Sequence, residues 1–175
     1  MPAVISDTSS HYFPGVLAEV VLLSPAQLQI VKYCAEEVER QGDGPIAVEW
    51  MLRAWNQALA WVASNVAVTV DRIEQLGRLV EPDQNPHGFR RVAVRVGPHL
   101  CPPWQDVPSL MERFVARLGA LEPKMVDPAM TYKYFEEIHP FSNGNGRVGK
   151  ILFNWLLGML HEPQMPPNFF DCANP

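Results

Sequence analysis

The chain has 175 residues, of which 47% are hydrophobic and 19% are charged, and its formal net charge at pH 7 is -5. A chain of this length and composition is expected to form one domain with one sizeable core, which excludes an intrinsically disordered protein. The negative charge argues against a nucleic-acid binder that uses a broad basic surface, while a small basic pocket is compatible with it.

The three cysteines, Cys34, Cys101 and Cys172, lie far apart in the chain and show no metal-binding spacing. This pattern predicts free thiols in a reducing compartment. The first residues lack the basic and apolar regions of a signal peptide, and the apolar run Val16–Leu23 contains Glu19 and is too short to span a bilayer. We therefore expect a cytoplasmic protein that does not contact a membrane.

The N-terminal part of the chain predicts an arm followed by a first helix. Residues 1–24 combine scattered polar residues with a short apolar run, as in an arm or edge element packed on a domain. Ser24-Pro25 is a typical helix start, and this helix is predicted to reach about Gln41. Apolar residues recur on one face of it at helical spacing, and they predict its buried side: Leu28, Val31, Ala35 and Val38.

Two further helices are predicted over about Ile46–Ser64 and Thr69–Leu79. The first of them carries Trp50, Trp55 and Trp61 at intervals of five and six residues. These intervals do not place the three rings on one helical face, so they are interpreted as packing residues rather than a binding platform.

The only clear strand pattern is Arg91–Val96, where valines alternate with other residues. Gly97-Pro98 turns the chain, and Pro102-Pro103 prevents a regular central strand on the return, so a short exposed hairpin is predicted. Helices follow over about Val107–Leu121 and Asp127–Ile138, and a last helix is predicted to run to about Leu160 before Pro163. The expected fold class is mostly α, a helical bundle with one small β-hairpin.

The segment His139-Pro-Phe-Ser-Asn-Gly-Asn-Gly-Arg147-Val-Gly-Lys150 combines one imidazole, two Asn-Gly pairs and two cations just before the last helix. Gly144 and Gly146 allow a ligand to approach the backbone closely, and amides at a helix start favour an anion. Arg147 and Lys150 share one face of that helix, and Asn154 extends it. The sequence therefore predicts a phosphate site beside a histidine that accepts a proton at neutral pH.

Gly144 to Lys150 also matches most of a Walker A loop. Ile151 replaces the Ser or Thr that such a loop needs for magnesium, and the residues before His139 do not form a buried β-strand pattern. A P-loop is therefore rejected.

The motif resembles the signature of the Fic family, His-x-Phe-x-Asp/Glu-Gly-Asn-Gly-Arg-x-x-Arg. The resemblance extends over roughly residues 66–165 and includes Gly88-Phe89-Arg90, the valine-rich hairpin and the Phe-Glu-Glu-Ile approach to His139. We therefore divide the chain into an N-terminal arm and helices at 1–65, a Fic-like core at 66–165 and a tail at 166–175. The resemblance implies a helical fold with a β-hairpin flap and, typically, transfer of AMP from ATP to a hydroxyl side chain of a target protein.

The resemblance also implies roles for individual residues. His139 would be the general base, Phe141 would anchor the loop, and Arg147 and Lys150 would bind phosphates. Gly144, Asn145 and Gly146 would form the anion hole, and Asn154 would either contact the ligand or tie helices together. The flap would hold the target segment by strand addition through its exposed edge, Arg91, Val92, Ala93, Val94, Arg95 and Val96.

Two residues depart from the signature. Asn143 stands where the family has the Asp or Glu that holds Mg²⁺; an amide lacks the charge, so weak Mg²⁺ binding and slow transfer are predicted. Lys150 replaces the second Arg, keeping the charge without the planar fork.

Many family members are restrained by a helix with Ser/Thr-x-x-x-Glu-Gly/Asn, but here no Ser or Thr has Glu four residues later. The restraint is then expected from a separate antitoxin-like chain, or is not needed in a slow enzyme. The alternatives to AMP transfer are a degenerate fold that binds nucleotide or a partner protein with little catalysis, and an enzyme that uses UTP, a phosphocholine ester or phosphate transfer.

Overall fold

The computed structural model describes residues 23–121 and 125–169. Within these residues the chain forms six α-helices, a short 3₁₀ turn at Trp104–Asp106 and one two-stranded antiparallel hairpin. The predicted fold class is confirmed. The elements are α1 Pro25–Gln41, α2 Ile46–Ala63, α3 Val70–Val80, β1 Arg95–Val96, β2 His99–Leu100, α4 Val107–Ala120, α5 Pro128–Ile138 and α6 Asn145–Leu157.

Helix α6 lies in the centre of the fold, packed against α2, α3 and α5. Its first three turns are buried on almost every side, and this burial includes polar residues as well as apolar ones: Asn145, Arg147, Val148, Gly149, Lys150, Ile151, Leu152, Phe153 and Asn154. Because buried polar groups need partners, α6 is held by specific contacts as well as by apolar packing. It ends at Leu157, where Gly158 adopts a left-handed φ of 73°, and so does not reach Leu160 as predicted.

Helix α1 begins directly after its N-cap Ser24, as predicted. The Ser24 side chain accepts from the Gln27 backbone amide, and the Gln27 side chain accepts from the Ser24 backbone amide. Of the predicted buried face, Val38 is buried, Val31 and Ala35 are half-buried, and Leu28 is 54% exposed. The face that packs on the core consists of Ile30, Tyr33, Cys34, Glu37 and Val38. The apolar pattern did not identify this face because one of its five positions, Glu37, carries a charge.

The hairpin is shorter than the valine pattern predicted. Only Arg95–Val96 pairs, with Arg95 opposite Leu100 and Val96 opposite His99. Val92 is 55% exposed, so its alternation with arginine does not mark a buried strand face. The segment before β1 is instead irregular, and the Arg90 side chain donates to the Val92 carbonyl at 2.9 Å.

The tryptophans of α2 serve packing. Trp55 is fully buried, and its indole N–H donates to the Leu160 carbonyl at 2.9 Å. Trp61 stacks on Trp155 of α6 with ring centroids 5.6 Å apart. Within the described residues, no helix has the length and apolar character needed to cross a membrane. The predicted N-terminal arm lies almost entirely outside the described residues.

Candidate active site

His139 follows the last residue of α5 and adopts a left-handed backbone with φ 50° and ψ 63°. A non-glycine residue in this region is uncommon, and it redirects the chain out of α5 into Pro140. Arg90 holds this corner: its Nε donates to the His139 carbonyl at 2.7 Å and its backbone N–H donates to the Pro140 carbonyl at 2.8 Å. The histidine is thus fixed by its backbone on two sides.

The His139 side chain is 19% exposed, and Nδ1 is buried without a hydrogen-bond partner among the described residues. Burial, with nearby Arg90 and His99, lowers the pKa of this imidazole to about 4, although a contact with the Glu136 backbone opposes the shift. The ring is therefore neutral at pH 7. Because Nδ1 is buried, Nε2 is the nitrogen that a substrate can reach and that can accept its proton.

Phe141 is fully buried beneath the loop that follows His139, with Phe89 at 5.5 Å and Phe135 at 6.5 Å between ring centroids. A Cβ on Gly77 of α3 would lie 2.2 Å from the Phe141 ring, so glycine is required there. The Asn145 side chain then closes the loop, accepting from the Phe141 amide at 2.8 Å and donating to its carbonyl at 2.9 Å. The predicted anion-hole residue Asn145 therefore uses its amide side chain for the loop itself.

Asn85 is a second support of this loop, and sequence reasoning missed it. Its Nδ2 donates to the Asn143 carbonyl at 2.9 Å and to the Gly77 carbonyl at 3.1 Å, and its Oδ1 accepts from the Ser142 amide at 3.2 Å. The residue is 1% exposed. Asn85 stands directly before Pro86 after the end of α3, and a buried amide at such a position is a candidate loop support.

The N-terminus of α6 is not capped by a side chain. Gly144 precedes the helix in a left-handed conformation with φ 76°. The first helical amides, of Asn145, Gly146 and Arg147, begin the helix here, and such amides together with the helix dipole favour an anion. In this structure α1 covers that end, because a Cβ on Gly146 would lie 2.8 Å from Gln41 Nε2 and 3.8 Å from Glu37 Oε1.

Both predicted phosphate-binding cations are paired with carboxylates. Arg147 is fully buried, with Nη2 at 2.7 Å from Glu81 Oε2 and 3.2 Å from Asp43 Oδ2, and its Nη1 donates to the Val80 carbonyl at 3.1 Å. Lys150 Nζ lies 2.5 Å from Oε1 of Glu37, which is completely buried. A phosphate can reach either cation only if a carboxylate moves away.

Glu37 corrects the expectation that the chain carries no internal acid at the second cation. It lies on α1 and is preceded at four residues by Tyr33, so it falls outside the Ser/Thr-x-x-x-Glu pattern that was sought. Its carboxylate also accepts from Arg40 and Gln41, each at 2.5 Å. Residues 113 positions apart thus meet in one buried ion pair, which local sequence patterns do not reveal.

The Asn143 side chain is engaged in hydrogen bonds of the loop in this arrangement. Its Oδ1 accepts from the Gly144 amide at 2.7 Å, and its Nδ2 donates to Glu81 at 3.2 Å. Within the described residues no group of three or more His, Cys, Asp or Glu side chains is placed to hold a metal. Mg²⁺ prefers carboxylate oxygens, so the donor set around Asn143 does not fit it.

The remaining predicted residues separate into two groups. Asn154 donates to the Lys150 and Gln164 carbonyls at 2.9 and 3.0 Å and accepts from the Gln164 amide at 2.7 Å, so it ties α6 to the following chain. Most of the flap is exposed, with Val94 and Val96 half-buried, and the Arg90 side chain connects it to the motif by donating to the Val92 and His139 carbonyls.

Curated relatives match a part of this chain. "Protein adenylyltransferase Fic" of Culex quinquefasciatus is 42% identical over 73 residues, which are 39% of this chain and 15% of that protein. The protein of the same description from Drosophila melanogaster is 33% identical over 105 residues, or 56% of this chain and 21% of that protein. The alignments thus span about a fifth or less of these relatives.

Solved structures share the helical fold. IbpAFic2 covalently tethered to Cdc42 aligns with a TM-score of 0.62 at 20% identity, over 85% of this chain and 52% of that chain. A variant of IbpAFic2 in complex with adenylylated Cdc42 aligns with a TM-score of 0.63 at 17% identity, over the same shares. Fic-1 from C. elegans aligns with a TM-score of 0.56 at 16% identity, over 85% of this chain and 55% of that chain.

The Fic/DOC family model matches residues 67–157, which is more than half of the chain. This range contains the left-handed His139, the glycine-rich turn and the buried helix that follows it. The chain therefore belongs to the Fic/DOC family.

Proposed function

We propose that this chain transfers AMP from ATP to a Ser, Thr or Tyr hydroxyl of a target protein. The observation that carries the proposal is a neutral His139, with a reachable Nε2, six residues before the uncapped N-terminus of α6. A general base and an anion site must lie side by side for attack on a phosphate. The names of the curated relatives support the same activity.

In the proposed reaction Nε2 of His139 takes the proton of the target hydroxyl. The hydroxyl oxygen then forms a bond to the α-phosphorus while the bond from this phosphorus to the oxygen bridging the β-phosphate breaks. AMP is left on the target and pyrophosphate leaves. The amides of Asn145, Gly146 and Arg147 stabilise the negative charge that develops on the phosphoryl oxygens.

The flap is proposed to hold the target segment. Residues 91–94 form an exposed, irregular edge before β1, and strand addition needs free backbone groups rather than given side chains. The structural relative crystallised with Cdc42 supports a protein target for the family fold. We infer that the restraint at Lys150 comes from Glu37 within this chain, so that it does not require a separate antitoxin-like chain.

The test is incubation of the purified protein and a cell lysate with ATP labelled at the α-phosphate. Label is expected on a target protein, with the His139→Ala variant as the control. ATP labelled at the γ-phosphate and labelled UTP distinguish phosphate and UMP transfer. Because Glu37 occupies Lys150, the Glu37→Gln variant is tested as well. The proposal is wrong if neither protein labels anything beyond the His139→Ala level.

A nucleotide-binding protein with little catalysis is the second candidate. It is favoured by one observation, that both cations are paired with carboxylates while Asn143 presents an amide. Calorimetry would then show ATP binding without transfer, even in Asn143→Asp. If Asn143→Asp instead raises Mg²⁺-dependent transfer while Asn143→Ala does not, the missing carboxylate is the reason for slow catalysis.

A further inference from the structure

Glu136 and His139 are two buried groups, about one turn apart at the end of α5, whose side chains face each other. His139 Nδ1 lies 3.8 Å from Glu136 Oε2, and the two side chains are 19% and 10% exposed. Nδ1 and Glu136 Oε1 are both buried without a hydrogen-bond partner among the described residues. A buried polar atom left unpaired destabilises a fold, so each such atom in a native fold calls for an explanation.

We propose that Glu136 is a positioning residue that sets the tautomer of His139. Its ionised carboxylate accepts a hydrogen bond from Nδ1–H, which leaves Nε2 without a proton and able to take one from the target hydroxyl. This role rests on the proposed transfer reaction. The 3.8 Å separation is longer than a hydrogen bond, and catalytic hydrogen bonds are often long before substrate binds.

The helix that faces Glu136 leaves room for its carboxylate. A Cβ on Gly149 of α6 would lie 2.5 Å from Glu136 Oε1 and 2.9 Å from the Tyr132 ring. Gly149 is helical, and glycine inside a helix costs about 0.5–1 kcal/mol relative to alanine. The missing side chain of Gly149 therefore leaves a space at a cost in helix stability. The carboxylate of Glu136 fills this space.

The charged and titratable groups around the pair come from several parts of the fold. Glu136 faces Lys150 of α6 and Glu37 of α1, and it also acts on Tyr132 of α5 and on Cys101 after β2. On the other side, the backbone of Glu136, Arg90 and His99 act on His139. Burial raises the pKa of Glu136 to about 7; Lys150 opposes this rise and Glu37 adds to it.

The ionisation of Glu136 therefore changes, near neutral pH, which nitrogen of His139 can accept a proton. Above about pH 7 the carboxylate accepts from Nδ1–H, and Nε2 is the acceptor. Below it, the protonated carboxyl donates to Nδ1, so the ring proton sits on Nε2 and blocks proton transfer. Protonation of the imidazole itself does not contribute in this range, since burial holds its pKa at about 4.

The test is a pH titration of histidine labelled with ¹⁵N, from about pH 5.5 to about pH 8.5, in which nitrogen shifts report the tautomer of each ring. The signal of His139 is assigned by its loss in His139→Asn. The wild-type ring is expected to change from the Nε2–H to the Nδ1–H tautomer as pH rises, whereas Glu136→Gln holds one tautomer throughout. An identical titration in the two proteins, or a fixed tautomer in the wild type, would overturn the proposal.

A kinetic arm separates positioning from a merely structural role. In Glu136→Gln, kcat at about pH 8 is expected to fall about 10- to 100-fold, because the amide cannot stabilise the imidazolium that forms during the step. KM for ATP should not change, and the rise of kcat through pH 7 should disappear. Glu137→Gln is the matched control: its carboxylate is 38% exposed and pairs with Lys133, away from His139.

The two arms distinguish failure of this inference from failure of the proposed function. If the tautomer follows Glu136 but no transfer is detected, the dyad stands and the transfer reaction is wrong. If transfer is detected and kcat and the tautomer are the same in Glu136→Gln and Glu137→Gln, the reaction stands and Glu136 has no positioning role.

Discussion

At the scale of single residues, the site is defined by which carboxylate faces which cation. Glu37 and Glu81 are buried acids that hold Lys150 and Arg147 at 2.5 Å and 2.7 Å. A bound phosphate carries the same charge as these acids and needs the same cations. The described conformation is therefore one in which side chains of the protein occupy the positions that a nucleotide would require.

Glu37→Gln tests this competition. Loss of the charge is expected to tighten ATP binding about tenfold, which corresponds to about 1.4 kcal/mol. The same change leaves Lys150 buried without its counter-ion and should lower the free energy of unfolding by about 1–3 kcal/mol. Tighter ATP binding together with lower stability distinguishes a competing acid from a residue with a purely structural role.

Calorimetry with ATP and urea unfolding measure the two quantities. Glu36→Gln is the control, because Glu36 is the preceding residue of α1 yet its side chain is 54% exposed and pairs with the surface residue Lys32. It should change neither quantity by more than about 0.5 kcal/mol. Equal ATP affinity in wild type and Glu37→Gln contradicts the competition.

At the scale of elements, Gly77 of α3 and Phe141 of the loop form the contact that fixes the site to the frame. A methyl group on Gly77 would lie 2.2 Å from the Phe141 ring, which cannot move because Phe89 and Phe135 pack beside it. Gly77→Ala is expected to lower the free energy of unfolding by about 1–3 kcal/mol through overpacking, although alanine favours a helix.

Gly119 provides the matched comparison, since it is also in a helix, α4, and a methyl group there would meet nothing within 4 Å. Gly119→Ala should be neutral or stabilising by up to about 1 kcal/mol. Urea unfolding of both variants measures the difference. If Gly77→Ala were as stable as Gly119→Ala, the loop would not be fixed by this packing.

The same scale shows what sequence patterns determine. The start of α1 followed from Ser24-Pro25, and α5 begins in the same way at Asp127-Pro128, because capping side chains and prolines act locally. The buried face of α1 did not follow, since Glu37 is buried only because Lys150 meets it from α6. The predicted length of the strand in the flap was wrong for a similar reason. Valines at exposed positions alternate with other residues in the sequence although they cover no core.

At the scale of the whole molecule, the site combines one local motif with distant supports. The residues from His139 to Lys150 were recognisable because their spacing is compact and unusual. Asn85, Glu81 and Glu37 contact the motif from 58, 66 and 113 positions away in the chain. No period or spacing connects such residues, so their roles follow only from the packing of α1 and α3 against α6.

The buried acid next to His139 also makes the stability of the whole fold depend on pH. Burial raises the pKa of Glu136 from 4.5 to about 7, so the folded chain binds a proton that the unfolded chain has released. The stability contributed by this group is therefore lost as pH rises from about 4.5 to about 7, and no more of it is lost above that range.

Glu136→Gln removes this cost because the amide does not ionise. We expect its free energy of unfolding to exceed that of the wild type by on the order of 1–3 kcal/mol at about pH 8, with the difference shrinking towards pH 4.5. Urea unfolding across this pH range measures it, and Glu137→Gln should show no such trend because its carboxylate is partly exposed. A difference that stays constant with pH, or that favours the wild type at pH 8, would mean that attraction to Lys150 outweighs burial. A chain that is most stable without Glu136 but transfers nucleotide best with it would show that this acid is retained for the reaction and not for the fold.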